Sequence, residues 1–290
     1  MKQKIDSLTD SQLAVSQILK DHRENFARFT WFIPASVRQD LYTLYAFCRI
    51  ADDAADDPGS KISRLALLDS IQSSLENSLQ NREPHSFYPS LAEMIQRRKM
   101  PTEEFYRLLN AFRWDQTTTD WQSMERLERY CEGSANPVGR LVLHIFYSPE
   151  TAMQYYPASD SICTALQLVN FWQDVHRDYE SGRIYLPYDT RTKYGVTNEI
   201  LKSGKATDGY RSLLKELCDD TENRFQVGRS GFRKLRGADG FTIDWFATCG
   251  LKLVDNIRAL NYDTLTTRPT VSKLNRVSAA FTSLFRRNAR

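Results

Sequence analysis

The chain has 290 residues, 41% hydrophobic and 26% charged, a balance that suits a globular protein with one sizeable core. A net charge of +3 is too small to point to nucleic acid. Five cysteines (Cys48, Cys131, Cys163, Cys218 and Cys249) form no CxxC pair, which argues against a zinc site or disulfide framework and for a reducing, cytoplasmic setting.

The helical period runs through nearly the whole sequence. Ser11 reads as the cap of a helix reaching about Arg28, and Pro34-Ala35-Ser36 opens a second that ends near Asp57. Pro58-Gly59-Ser60 then breaks the chain. Further helices fit 62–80, 87–98, 102–114, 123–132, 137–147 and 158–181, and after Gly182 come 197–203, 207–235, 241–262 and 271–287. Arg183-Ile184-Tyr185-Leu186-Pro187 is at most a short extended piece. Arg97-Arg98-Lys99 reads as a solvated basic helix end, favoured there by the macrodipole. The polar start Met1–Asp6 has no signal-peptide pattern, and no run approaches the roughly 20 apolar residues of a membrane span. The last residues, Leu284–Arg290, are basic: either a solvated tail over about 280–290 or a peripheral contact with the inner membrane face. The expectation is an all-α fold forming one domain over residues 1–290.

Two stretches carry the chemistry. In Gln167–Asp178, residues Gln167, Asn170, Asp174 and Asp178 fall three or four apart and share one helix face, while Leu168, Val169, Trp172 and Val175 form an apolar face. Tyr45, Arg49, Asp52 and Asp56 repeat that spacing upstream. Asp52-Asp53-Ala54-Ala55-Asp56-Asp57 puts four carboxylates at a helix C-terminus, where the dipole already disfavours negative charge. A solvated acidic helix end accounts for one such cluster alone. Two matched carboxylate pairs on otherwise apolar helices point instead to a divalent cation held between facing stripes, and hard oxygen donors favour Mg²⁺, Mn²⁺ or Ca²⁺. Neither stretch has an EF-hand loop, and the chain has no P-loop, GxGxxG or GxSxG motif. Mg²⁺ is commonly bound by a few carboxylates plus a phosphate, and Arg49 and Arg183 supply cations for a diphosphate ester. Asp53 and Asp57 lie off the stripe, and His176 reads as a neighbouring-face residue rather than a metal ligand.

These motifs resemble the squalene/phytoene synthase family: Cys48-Arg49-Ile50-Ala51-Asp52-Asp53-Ala54-Ala55-Asp56, the Gln167…Asn170…Asp174…Asp178 row, and Gly182-Arg183-Ile184-Tyr185-Leu186-Pro187. The likeness covers nearly the whole chain, including Tyr130–Arg140, where members carry a Tyr-Cys-x-x-Val-Ala-Gly-x-Val-Gly segment. Asn136-Pro137 within that segment, Gln173 where most members have Arg, Asn25-Phe26 and the Arg268–Leu274 stretch resemble the branch of bacterial hydroxysqualene synthases.

The resemblance implies an isoprenoid-synthase-type helical bundle around a central apolar cavity, acting on a prenyl diphosphate with Mg²⁺ (or Mn²⁺) and without NAD(P)H. The branch implies conversion of presqualene diphosphate and water to hydroxysqualene and diphosphate, in squalene and hopanoid biosynthesis. Head-to-head condensation of two farnesyl or geranylgeranyl diphosphates is the alternative within the family, and a non-catalytic helical metal- or membrane-binding protein the alternative outside it. Asp52, Asp56, Asn170, Asp174 and Asp178 are the implied metal ligands; the four aspartates together with Arg49 form the catalytic set. His22, Asn25, Phe26, Tyr45, Arg49, Gln167, Asn170, Arg183, Tyr185, Arg268 and Lys273 match substrate-contacting positions, and Asn136 is a candidate to place the attacking water. Phe26, Phe29, Trp31, Phe32, Tyr45, Phe171 and Trp172 are candidate cavity aromatics. Gln173 removes one phosphate-binding cation, and Gly250 falls where the family has a late Tyr. Neighbouring enzymes of the squalene pathway are candidate partners.

Overall fold

A computed structural model of the chain describes residues 2–21, 35–82, 86–235 and 237–270. Those residues form thirteen helices: α1 (Lys2–Asp21), α2 (Ala35–Ala55), α3 (Lys61–Leu79), α4 (Tyr88–Arg98), α5 (Thr102–Asp115), α6 (Met124–Ser134), α7 (Asn136–Phe146), α8 (Pro149–Gln154), α9 (Tyr156–Glu180), α10 (Tyr188–Lys193), α11 (Asn198–Ser203), α12 (Asp208–Gly231) and α13 (Ala238–Ala259). The all-α expectation holds: the only β-type pairing among the described residues is one isolated bridge between Asp120 and Ile184. None of the described helices is long and apolar enough to cross a membrane. The helix expected at 271–287 and the basic tail lie outside the described residues. The sequence period missed α8 and α10, six residues each, although it found α11 at the same length.

The chain divides into two compact units. Unit 1 comprises Met1–Gln116 and Pro137–Gln154, unit 2 Thr117–Asn136 and Tyr155–Arg290.

In unit 1, apolar faces of α1 to α5 and α7 close on a core that includes Val15, Leu44, Phe47, Leu68, Leu75, Leu91, Phe105 and Leu141. Phe47 and Phe105 meet edge to face, centroids 5.1 Å apart. Ser11 is not a cap. Helix α1 already starts at Lys2, and the buried Ser11 hydroxyl accepts a hydrogen bond from the Ser90 amide at the start of α4. The amides of a helix's first turn need partners, and here one comes from a neighbouring helix. Arg97 and Arg98 are not a solvated helix end either. Both donate to the Asp40 carboxylate of α2, itself 4% exposed, and so tie α4 to α2. A buried carboxylate is tolerated only with charged partners, and two guanidiniums supply them.

In unit 2, α9 packs along α12, and α12 along α13. A Cβ at Gly228 would lie 2.8 Å from the Ala158 carbonyl and 2.6 Å from the Ile162 side chain, so glycine is what lets α12 come this close to α9. At Gly250 a Cβ would fall into the Phe225 ring, which is fully buried. Trp172 is fully buried and donates from Nε1 to Thr221 Oγ1 at 2.9 Å, anchoring α9 to α12.

Two stability outcomes follow from these contacts. Asp40→Ala should cost about 2 kcal/mol in urea unfolding, below the usual penalty for breaking a buried pair, because the arginines left behind are 42% and 24% exposed and re-solvate. Gly250→Ala should cost about 1–3 kcal/mol through overpacking. Combined with Phe225→Leu, it should show a favourable coupling of about 1 kcal/mol or more in a double-mutant cycle. Strict additivity would mean that the ring does not set the residue at 250.

Candidate active site

Each acidic stripe is built on one unit. In unit 1, α2 presents Tyr45, Arg49, Asp52 and Asp56 at helical spacing. Asp56 lies one residue beyond the helix, yet its amide still donates to the Asp52 carbonyl at 3.0 Å, so the helical course continues through it. Arg49 straddles two carboxylates: Nη1 lies 3.0 Å from Asp52 and Nη2 2.7 Å from Asp53. Asp53 is thereby a partner of Arg49 rather than a bystander to the stripe. Asp57 turns away and accepts from the Gly59 amide at 2.8 Å. The Cys48 thiol, one residue before Arg49, is pushed up to about 12, first by burial and second by the charge of Asp52. It stays protonated and is no nucleophile.

In unit 2, α9 carries Gln167, Asn170, Asp174 and Asp178 on its accessible side, with Asn170 exposed and the other three partly so. Leu168, Val169, Trp172 and Val175 are all buried, as the pattern predicts. Gln173 is buried as well. Its Nε2 donates to the Pro269 carbonyl at 2.5 Å, so this side chain ties down the segment after α13. The neighbouring Arg268 grips Asp174 with both ends of its guanidinium, Nε to Oδ1 and Nη2 to Oδ2 at 3.0 Å. That pairing, with Asp178 adding a weaker pull, raises the Arg268 pKa above its ordinary value. Arg177 lies 3.5 Å from Asp174.

After α9 the chain must reverse. Gly182 does this at φ +81°, a conformation that favours glycine, and the Arg183 amide closes the turn on the Asp178 carbonyl at 2.8 Å. The next residues run extended: Ile184 donates to the Thr119 carbonyl, and the buried Tyr185 ring lies flat on Phe171, centroids 4.0 Å apart and planes 7° apart. Tyr130 and Trp121 stack beside them. Phe171 thus belongs to an aromatic cluster with Tyr185, Tyr130 and Trp121, whereas Trp172 is ordinary core. Arg191, 2% exposed, holds the loop from below with two bonds to Asp120 at 2.6 and 2.7 Å and one to the Leu186 carbonyl.

Asn136 is 3% exposed, and its Oδ1 accepts from the Thr164 hydroxyl of α9 at 3.0 Å. His176 lies 3.5 Å from Glu180, which suits a neighbouring-face residue. His22, Asn25, Phe26, Phe29, Trp31, Phe32 and Lys273 lie outside the described residues. Sequence reasoning named Arg268 but not its pairing with Asp174, and it missed Pro269 as the partner of Gln173 and Arg191 beneath the loop. No local spacing announces such a pair.

Among the described residues no three His, Cys, Asp or Glu side chains converge as a ready-made metal cage. Mg²⁺ does not need one, since it is usually held by one or two carboxylates together with phosphate oxygens and water. Asp52 with Asp56, and Asp174 with Asp178, each supply such a pair one helical turn apart, so the donor chemistry fits.

The comparisons with known proteins identify the family. The squalene/phytoene synthase family model matches residues 19–275. Among curated relatives, phytoene synthase of Thermus thermophilus is 27% identical over 87% of this chain and 85% of its own length. Chloroplastic phytoene synthase of Narcissus pseudonarcissus is 25% identical over 94% of this chain, which spans 65% of that longer protein. Among solved structures, squalene synthase HpnC from Alicyclobacillus acidocaldarius superposes with a TM-score of 0.80 at 32% identity, over 88% of this chain and 96% of the other. A dehydrosqualene synthase in complex with ligand shares the fold, with a TM-score of 0.86 at 22% identity, over 99% of this chain and all of the other. The chain belongs to the squalene/phytoene synthase family.

Proposed function

We propose that this protein converts presqualene diphosphate and water to hydroxysqualene and diphosphate. The observation that carries the reading is the pair of one-turn carboxylate rows on α2 and α9, in a chain 32% identical to a squalene synthase over most of its length. Asp52, Asp56, Asn170, Asp174 and Asp178 are the proposed ligands of Mg²⁺, or of Mn²⁺ in its place. When bound, the metal supplies Lewis-acid stabilisation of the departing diphosphate.

The chain's own residues do the rest. The carbon–oxygen bond to the diphosphate breaks, and its electron pair leaves with the oxygen. Arg49 and Arg183, with the amides of Gln167 and Asn170, donate hydrogen bonds to the growing negative charge; donors preorganised in this way favour the transition state over the ground state. Arg268 and Lys273 add positive charge to the same group. Tyr45 on α2 and the segment holding His22, Asn25 and Phe26 contact the substrate in this reading. The cyclopropylcarbinyl cation left behind rearranges against aromatic faces, each worth about 0.5–2 kcal/mol to a cation, and the Phe171–Tyr185 pair, with Phe171 on α9 itself, is the surface assigned to it in this reading. Water then adds through its oxygen and loses a proton. Asn136 positions that water, with Thr164 fixing the rotation of its amide. No step transfers hydride, so no nicotinamide is required.

The phytoene synthase relatives favour a second reading, the head-to-head joining of two prenyl diphosphates. Gln173 weighs against it: this side chain is committed to a backbone carbonyl and carries no charge for a second diphosphate. Incubation with Mg²⁺ and presqualene diphosphate should yield hydroxysqualene, while farnesyl or geranylgeranyl diphosphate alone should yield no condensed product. Asp52→Ala and Asp174→Ala should each lower turnover by about 100-fold or more. Asn136→Ala should lower the alcohol's share of total products. Condensation of two farnesyl or two geranylgeranyl diphosphates, with presqualene diphosphate left untouched, would replace this reading by the second.

A further inference from the structure

Arg64 and Gln116 belong to none of the motifs above, yet both end on the backbone around the acidic terminus of α2. That helix has no basic residue in its own last turn, although its closing residues include Asp52 and Asp53 and the next two are Asp56 and Asp57. The dipole adds further negative charge at the same place. The compensating cation comes from α3. Arg64 donates from Nη1 to the carbonyls of Asp57 and Gly59, at 3.2 and 2.7 Å, and from Nε to Oε1 of Gln116 at 2.6 Å. Gln116 caps the C-terminus of α5 and returns its own Nε2 to the Ala55 carbonyl at 3.0 Å. One guanidinium and one amide therefore fix the carbonyls at 55, 57 and 59, on both sides of Asp56.

We infer that Arg64 and Gln116 are positioning residues that hold the Asp56 carboxylate in register with Asp52 for a divalent cation; this deepens the metal reading proposed above and rests on it. Asp56 sits just past the last helical residue, where helices fray and where four like charges favour fraying. Two carboxylates one turn apart serve the same ion only while the chain keeps its helical course through residue 56. The Asp56–Asp52 backbone bond shows that course, and the two clamping side chains hold the carbonyls that would otherwise swing out to water. The planar guanidinium spans three acceptors at fixed angles, which an ammonium does not do.

Positioning and simple electrostatics predict opposite signs. Arg64 is a positive charge near the proposed metal, so by Coulomb's law alone its removal should tighten cation binding. If Arg64 acts by holding Asp56, removal should weaken it. The measurement is Mn²⁺ binding to the full-length protein without substrate, read by the loss of the free-ion EPR signal, together with the Mg²⁺ concentration for half-maximal activity. Arg64→Ala should weaken Mn²⁺ binding about tenfold or more, as losses behind metal ligands commonly do. Arg64→Lys should recover little of this. Gln116→Leu keeps the Arg64 charge and should shift both readouts in the same direction, which keeps the test open should Arg64→Ala fail to fold. At saturating Mg²⁺ the variants should regain most of their kcat. Unchanged or tighter Mn²⁺ binding in Gln116→Leu and in the folded Arg64 variants, even with a lowered melting temperature, would overturn the inference. Asp52→Ala separates the two claims. If it too leaves Mn²⁺ binding intact, the metal reading has failed; if it abolishes binding while the Gln116 and Arg64 variants do not, only the positioning role has.

Discussion

Clustered negative charge at the accessible edge of two otherwise apolar helices is the constraint to which the rest of the chain answers. Asp52, Asp53, Asp56 and Asp57 crowd the end of α2, and Asp174 and Asp178 line α9. Such rows repel themselves, and at the α2 terminus they also meet the wrong end of a dipole. The fold meets this with guanidiniums drawn from far along the sequence: Arg64 from α3 on the carbonyls past α2, Arg268 from beyond α13 on Asp174. Arg49 acts within α2 itself, bridging Asp52 and Asp53. Charge retained at such cost fits the divalent cation proposed for these rows.

Behind its charged edge, α9 and the helices packed with it depend on close approach. Gly228 lets α12 lie against α9, and Phe225 fills the space that a side chain at residue 250 would take. The second case bears on the family pattern. A late-helix Tyr is expected at this position, and the ring of Phe225 occupies that space from the neighbouring helix.

Much of this was legible in the sequence because it is periodic. The i, i+4 rows on α2 and α9, the buried face of Leu168, Val169, Trp172 and Val175, the breaks at Pro58-Gly59 and Gly182, and most helix limits follow from spacing and turn chemistry. What stayed hidden involves partners without a local signature. Ser11 looks like a cap because hydroxyls often are, yet it serves an amide 79 positions away. Arg97-Arg98 looks like a solvated basic end, yet it neutralises a carboxylate 57 positions away from Arg97. Gln173 reads as a lost cation, and its gained bond to Pro269 lies 96 positions off. Spacing reveals what shares a face, not what folds back onto it.

The ion pairs of this chain fall into two kinds, and exposure separates them. Arg191 with Asp120, and Asp40 with its two arginines, each have a member at most 4% exposed. Breaking one strands a charge away from water, so these pairs are fixtures of the fold. Arg49 with Asp52 is 32% and 45% exposed, and Arg268 with Asp174 is 41% and 21%. Exposed pairs of this kind are worth roughly 0–1 kcal/mol, because water takes either partner back at little cost. Asp52, Asp174, Arg49 and Arg268 thus belong to the exchangeable kind, while α2 and the loop after α9 are pinned by the fixed kind. The proposed ionisation needs that division: groups free to trade partners as charge moves, on a frame whose own charges do not.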